Sequence, residues 1–234
     1  NQSVAETIEH NNEIISSLTL EDFAPQMYEN VESGVFVYPA SSHDCSEYSA
    51  SEYSAGRGFT TIMTLDLFGD DLEMEVDHIT SSWAHVYSSQ DMLILAEPAN
   101  DWWWFWRNSD WDDATNIHSF DISEPGYTQY IGSGRVDGTV QDQFSISEFE
   151  GSVRIASTSD AWARWWLMDE VDESGEPIWN GPTNQVSILQ PNEEGELEQI
   201  GFIGSIAEGE TIWSARFVAD RGYLVTFENV DPLW

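Results

Sequence analysis

The chain has 234 residues, 43 of them acidic and 7 basic, and carries a formal charge of −36. Every basic residue is arginine; there is no lysine. So negative a chain repels phosphate backbones and anionic lipid faces, which argues against nucleic acid and direct membrane insertion as partners. Hydrophobic content of 41% and 12 Trp argue in turn against a disordered acidic chain.

Residues 1–33 form the only helix-like stretch. Ile14, Leu18, Leu20 and Phe23 can line one apolar face, Thr19-Leu20-Glu21-Asp22 resembles a helix start, and Pro25 limits the element. From residue 34 onward, short runs rich in Val, Ile, Thr, Tyr and Phe recur between Gly, Asp, Asn and Ser. They are Gly34–Tyr38, Phe59–Leu67, Met74–Ile79, His85–Tyr87, Met92–Ala96, Asn116–Ile122 and Gln129–Ser133. Further along come Gln143–Ser147, Val153–Ser157, Gln185–Leu189, Ile200–Ile203, Ile212–Phe217 and Tyr223–Phe227. No strong helical pattern interrupts them, so the expected class is all-β.

The strands repeat. Asn116–Asp121 lies 69 positions before Gln185–Gln190, and Tyr130-Ile131-Gly132 lies 69 before Gln199-Ile200-Gly201. Turn-plus-strand units recur at Gln90–Ile94, Glu150–Arg154 and Arg221–Val225. Each period reads as four strands with a long insertion between the second and third, Glu97–Thr115 in one repeat and Thr158–Asn184 in the next. A four-stranded meander cannot bury both faces alone. Stacking such sheets around an axis solves this and gives a β-propeller. The expected organisation is a helical or irregular linker over 1–55 and a propeller segment over 56–234. That segment holds two full blades, about 80–140 and 141–205, between two half blades. Two blades and two halves do not close a ring, so further blades are expected from a longer parent or a neighbouring chain.

The segments Gly132–Val136, Asp142–Ile146, Phe149–Thr158 and Ile212–Phe227, continuing to Asp231-Pro232-Leu233, resemble the secreted bacterial and archaeal β-propeller domain family distantly related to WD repeats. The resemblance covers about 56–234 and is most specific over 130–234. It implies a larger parent carrying a secretion or lipoprotein signal, secreted or held at the cell surface. It carries no catalytic residues to this chain.

The most distinctive local feature lies in the first insertion: Trp102, Trp103, Trp104, Phe105, Trp106 and Trp111. The second repeats the theme with Trp162, Trp165 and Trp166. Exposed aromatic platforms stack on sugar rings or clamp partner chains. The competing reading folds both loops back over the propeller and buries their rings. Asp110, Asp112 and Asp113 are the weak metal candidates, and calcium is the cation they would take; no Asp-x-Asp-x-Asp-Gly loop accompanies them.

Arg135, Arg154, Arg216 and Arg221 sit in or beside strands amid excess carboxylate and are expected to tie neighbouring blades together. Arg216 and Arg221 would pair with Glu210, Asp220 or Glu228. The five His form no zinc-like pair, and His78 and His118 are expected as satisfied strand residues. The lone Cys45, beside His43 and Asp44, is read either as a free thiol or as half of a disulfide to a Cys outside these residues.

The leading expectation is a non-enzymatic extracellular scaffold whose Trp-rich insertions contact a protein or surface polysaccharide. The alternatives are a carbohydrate-binding or carbohydrate-active propeller and a structural component of a surface assembly or filament. The spread of acids along the chain fits a saline habitat, where salt screens self-repulsion.

Overall fold

A computed structural model of the protein describes residues 3–19, 22, 26–39, 45–51, 58–68, 74–99, 113–160 and 181–227. One helix, α1 (Val4–Ser17), opens the chain. Ser3 and Glu6 start it with a capping box: Glu6 N–H donates to the Ser3 hydroxyl and Ser3 N–H to the Glu6 carboxylate, while beyond its end the Thr19 N–H donates to the Asp22 carboxylate at 2.7 Å, where the sequence suggests a helix start. After it comes a hairpin in which β1 (Gln26–Val31), inside the stretch read as helix-like, pairs antiparallel with β2 (Gly34–Pro39), the strand expected at Gly34–Tyr38. Met27, Val31, Val35 and Val37 suit an extended chain better than a helix, and Gly34 takes a positive φ of 142° just past the turn.

The remaining described strands form stacked sheets. The two-residue β3 (Tyr48–Ser49) adds parallel to β5 (Met74–Ser81), whose other edge pairs with β4 (Gly58–Leu65). Next comes a four-stranded meander of β6 (His85–Ser88), β7 (Met92–Pro98), β8 (Ala114–Asp121) and β9 (Gln129–Asp137). A second meander follows: β10 (Ile146–Phe149), β11 (Ser152–Ser159), β12 (Thr183–Pro191) and β13 (Leu197–Ile206). The hairpin of β14 (Thr211–Val218) and β15 (Arg221–Phe227) completes the series. The first meander falls inside its expected blade limits, the second overruns its own by one residue at Ile206, and the expected 69-residue offset appears in the pairing. Ser119 faces Gly132, and 69 positions on, Ile188 faces Gly201.

Alternation along β7 explains the stacking. Met92, Ile94 and Ala96 point to one face and pack with Ile117, Val136, Ile146, Val153, Ile155 and Leu189, filling the space between the two meanders. Leu93 and Leu95 point to the other face, where with Phe120 of β8 they meet Ile62 and Ile79 of the preceding sheet. Ala156, Ile212 and Ala215 repeat the arrangement between the second meander and the terminal hairpin. Strands buried on both faces read as continuous apolar runs, as Met92–Ala96 does. Backbone contacts join the meanders as well: Ser133 N–H donates to the Gly195 carbonyl at 3.2 Å, and a Cβ on Gly132 would stand 2.5 Å from that oxygen. The architecture is all-β, a partial propeller of four-stranded antiparallel blades.

Candidate functional site

The insertions are shorter than the sequence suggests. β7 runs to Pro98 and β8 begins at Ala114; β11 runs to Ser159 and β12 begins at Thr183. The candidate binding residues Trp102, Trp103, Trp104, Trp106, Trp111, Trp162, Trp165 and Trp166 lie outside the described residues, as do Asp110 and Asp112. The structure does describe the necks from which both insertions leave.

The first neck closes where Ala99 N–H donates to the Ala114 carbonyl at 2.9 Å. Asp113 then reaches across to the next blade. One carboxylate oxygen accepts the Thr139 hydroxyl at 3.1 Å, and the other accepts the Asp160 N–H at 2.6 Å. Its carbonyl accepts Gly138 N–H at 2.7 Å. Both oxygens of this metal candidate are thus engaged in joining the end of one insertion to the start of the other. An antiparallel bridge between Thr139 and Thr158 sits alongside. At the second neck, the Asn184 amide donates to the carbonyls of Ile206 and Glu210, both at 2.9 Å, while its oxygen accepts the Thr158 hydroxyl at 2.7 Å. Ile212 N–H in turn donates to that hydroxyl, so the second neck also fixes the start of β14.

Next to the first neck lies a buried polar chain. Glu97 is 1% exposed and His118 is fully buried. Glu97 accepts Ser82 N–H at 2.5 Å and stands 3.3 Å from His118 Nε2; His118 Nδ1 is 2.8 Å from the Ser133 hydroxyl, which also meets Tyr130. The order Ser–His–Glu is that of an activated nucleophile. The setting is not, because the carboxylate and imidazole are sealed between two sheets. What the chain does is satisfy polar groups that the stacking buries. The sequence reading placed Glu97 in the insertion and so missed it. Its alignment with Ser157 at the 60-residue offset of the second strands was the available signal.

The arginines take separate places. Arg135 lies opposite Asn116 in the β8–β9 pairing. Arg154 joins the second meander to the terminal hairpin: it donates to the Ala219 carbonyl at 2.5 Å and to the Ser147 hydroxyl at 2.8 Å, and stacks on Phe149 and Phe217. Its partners are a carbonyl, a hydroxyl and two rings, and desolvation lowers its pKa. Arg216 stands over the Phe144 ring. Arg221 approaches Asp220 at 3.9 Å with both side chains exposed, a pairing of little energetic weight.

His78 is buried on β5, stacked on Tyr48 and bonded to the Thr61 hydroxyl at 3.0 Å, with its Nε2 lacking a hydrogen-bond partner among the described residues. Burial lowers its pKa. The neighbouring Asp77 is shifted upward, chiefly by desolvation. Of the loop around Cys45, residues 40–44 lie outside the described residues; Cys45 opens a short 3-10 turn, Cys45–Glu47.

Comparison with known proteins agrees with this architecture. The family model for the Beta propeller domain matches residues 1–234, and so extends through the first 55 residues too. An uncharacterised protein of Methanocaldococcus jannaschii is 28% identical over 118 residues, which is 50% of this chain and 15% of the relative. An uncharacterised protein of Archaeoglobus fulgidus is 27% identical over 130 residues, 53% of this chain and 17% of the relative. The matched stretch thus spans less than a fifth of either relative's length. No solved structure matches the chain. With its stacked meanders and a family match over its whole length, the chain belongs to the β-propeller domain family.

Proposed function

We propose that the chain is a non-enzymatic scaffold, acting outside the cell, that holds a protein or a surface polysaccharide between its two Trp-rich insertions. The observation that carries this reading is the bond from Asp113, at the end of one insertion, to Asp160, at the start of the other. It brings the exits of two Trp-bearing loops together on adjoining blades, anchored in rigid strands. Binding loops gain precision from such anchoring. Aromatic side chains offer the large contact area at low entropy cost that binding hot spots use, and both insertions are rich in them.

The test compares affinity capture from a surface-polymer and secreted-protein fraction, in high salt, by the wild type and by a variant with Trp102, Trp103 and Trp104 all changed to Ala. A partner held by the wild type and lost by the variant, with the β circular-dichroism spectrum intact, is the expected result. Equal retention by both overturns the proposal.

A second reading, an element of a surface assembly, has its own support. Tyr223, Val225 and Phe227 are each more than half exposed on the last described strand. The corresponding face of β7, with Met92, Ile94 and Ala96, is buried under the following blade. A further blade, from the parent chain or a neighbour, would cover that stripe. Light scattering that rises with protein concentration in high salt would favour it over a monomeric scaffold.

A further inference from the structure

The first strands of three successive sheets meet at a groove of about 350 Å³. Val86 and Tyr87 line it from β6, Phe144 and Ser147 from the start of the second meander, and Arg216 and Phe217 from β14. We propose that this groove binds a carboxylate carried on a compact ring. No tryptophan lines it among the described residues, and the assignment does not rest on the scaffold reading.

The argument begins with charge. In a chain with 43 acidic residues, an arginine without a carboxylate partner is unexpected. Arg216 is exposed, and its guanidinium lies 5.9 Å from the centroid of Phe144; among the described residues no carboxylate forms an ion pair with it. The acids that flank the groove in sequence also serve the local backbone, and Glu148 lies within electrostatic reach of Arg154. Asp142 accepts the N–H groups of Phe144 and Ser145 and the Ser145 hydroxyl, and Glu148 accepts Gly151 N–H. A second cation stands behind the wall: Arg154 bonds to Ser147 and stacks on Phe217, both of which line the groove. One of the chain's seven cations thus lines the groove and a second packs behind its wall, in an otherwise anionic molecule.

The remaining surface sets the ligand's body. Phe144 is half exposed, and Tyr87 and Phe217 supply further aromatic area beside it. Planar guanidinium matches planar carboxylate through paired N–H donors, and aromatic faces take up the C–H or π face of a ring. The volume lies at the small end of the range of about 300–1,000 Å³ for ligand sites, which suits one ring and not a polymer. The charge of −36 disfavours a polyanion, and salt screens the repulsion that a single carboxylate meets.

Isothermal titration in high salt tests this with glucuronate and benzoate as ring carboxylates, glucose as the neutral ring and sulfate as the ringless anion. Saturable binding of glucuronate alone identifies a sugar acid, and of benzoate alone an aromatic acid; either supports the site. Arg216→Gln should weaken the bound acid at least about tenfold, a loss of about 1.4 kcal/mol. Arg216→Lys should recover only part of that, because it restores charge without the fork. The triple Trp102, Trp103 and Trp104 to Ala variant should bind the acid as the wild type does. Failure of both acids to bind, sulfate binding as tightly as the acids, or affinity unchanged by Arg216→Gln would each overturn the assignment.

Discussion

The two complete blades share one backbone plan and fill corresponding positions with different chemistry. On the face toward the preceding blade, the first uses Glu97, Asn116, His118 and Ser133. The matching positions of the second, by the offsets of 60 and 69, are Ser157, Gln185, Ser187 and Phe202. There the Gln185 amide and the Ser157 hydroxyl both donate to the Asp137 carbonyl of the blade before, at 2.5 and 2.7 Å. In the first blade the Glu97 carboxylate takes Ser82 N–H from the sheet before. Each blade thus bonds to backbone before it from an equivalent location in the fold, once with an ionisable pair and once with neutral groups. What the architecture demands is a polar link at that spot; the identity of the link is free. That is why the Ser–His–Glu order in the first blade is best understood as structure.

If so, the two links should differ in their cost of removal. Glu97→Ala leaves Ser82 N–H and His118 Nε2 without their partner in a sealed space and should destabilise the protein by about 3 kcal/mol. Ser157→Ala removes one neutral hydrogen bond and should cost about 1 kcal/mol. Urea denaturation of the two variants checks this, and equal losses would break the contrast. The outer strands offer a second, smaller contrast. Gly132→Ala would press a methyl onto the Gly195 carbonyl at 2.5 Å, where only backbone can yield, and should cost about 2 kcal/mol. Its counterpart Gly201→Ala meets only the Ile188 side chain at 3.2 Å and should cost less than about 1 kcal/mol, read as a shift in melting temperature.

The smallest effect is in the pH response of the sheet before the first blade. His78 has a folded pKa below its ordinary value, so the unfolded chain binds the extra proton first. Stability should therefore fall as pH drops from about 7.5 through the ordinary histidine value near 6.5, down to the lowered folded value. His85 acts in the same sense, its pKa lowered mainly by burial. Asp77 acts oppositely: its raised folded pKa means that acidification through that value relieves a penalty. His78→Gln should accordingly flatten, without abolishing, the decline in urea midpoint between about pH 7.5 and 5.5. An unchanged slope would show that His78 does not carry it.

Much of the sheet order was legible in sequence because strands buried on both faces leave apolar runs, as in Met92–Ala96. Less was legible where few local groups decide. β1 carries Glu and Asn among its apolar residues and forms only by pairing with β2. The two-residue β3 owes its existence to β5 and has no pattern of its own. For the site, scarcity of arginine was visible but its partners were not, since Arg154 binds a carbonyl 65 positions away and two rings. The place where the insertions join was hidden for the same reason. Asp113 looked like one acid in a cluster, and its partners Thr139 and Asp160 belong to later elements.

The Asp113 link also bears on how such chains can be rearranged. The neck of the first insertion is finished by groups from the second blade, and the neck of the second by the segment leading into the third. A blade moved by itself into another propeller would arrive with its own loop but without the residues that hold the loop's base. The transferable module is therefore the boundary between blades, half of one and half of the next. Recombination that respects that boundary carries a complete loop anchor, and recombination at the turns between blades divides it.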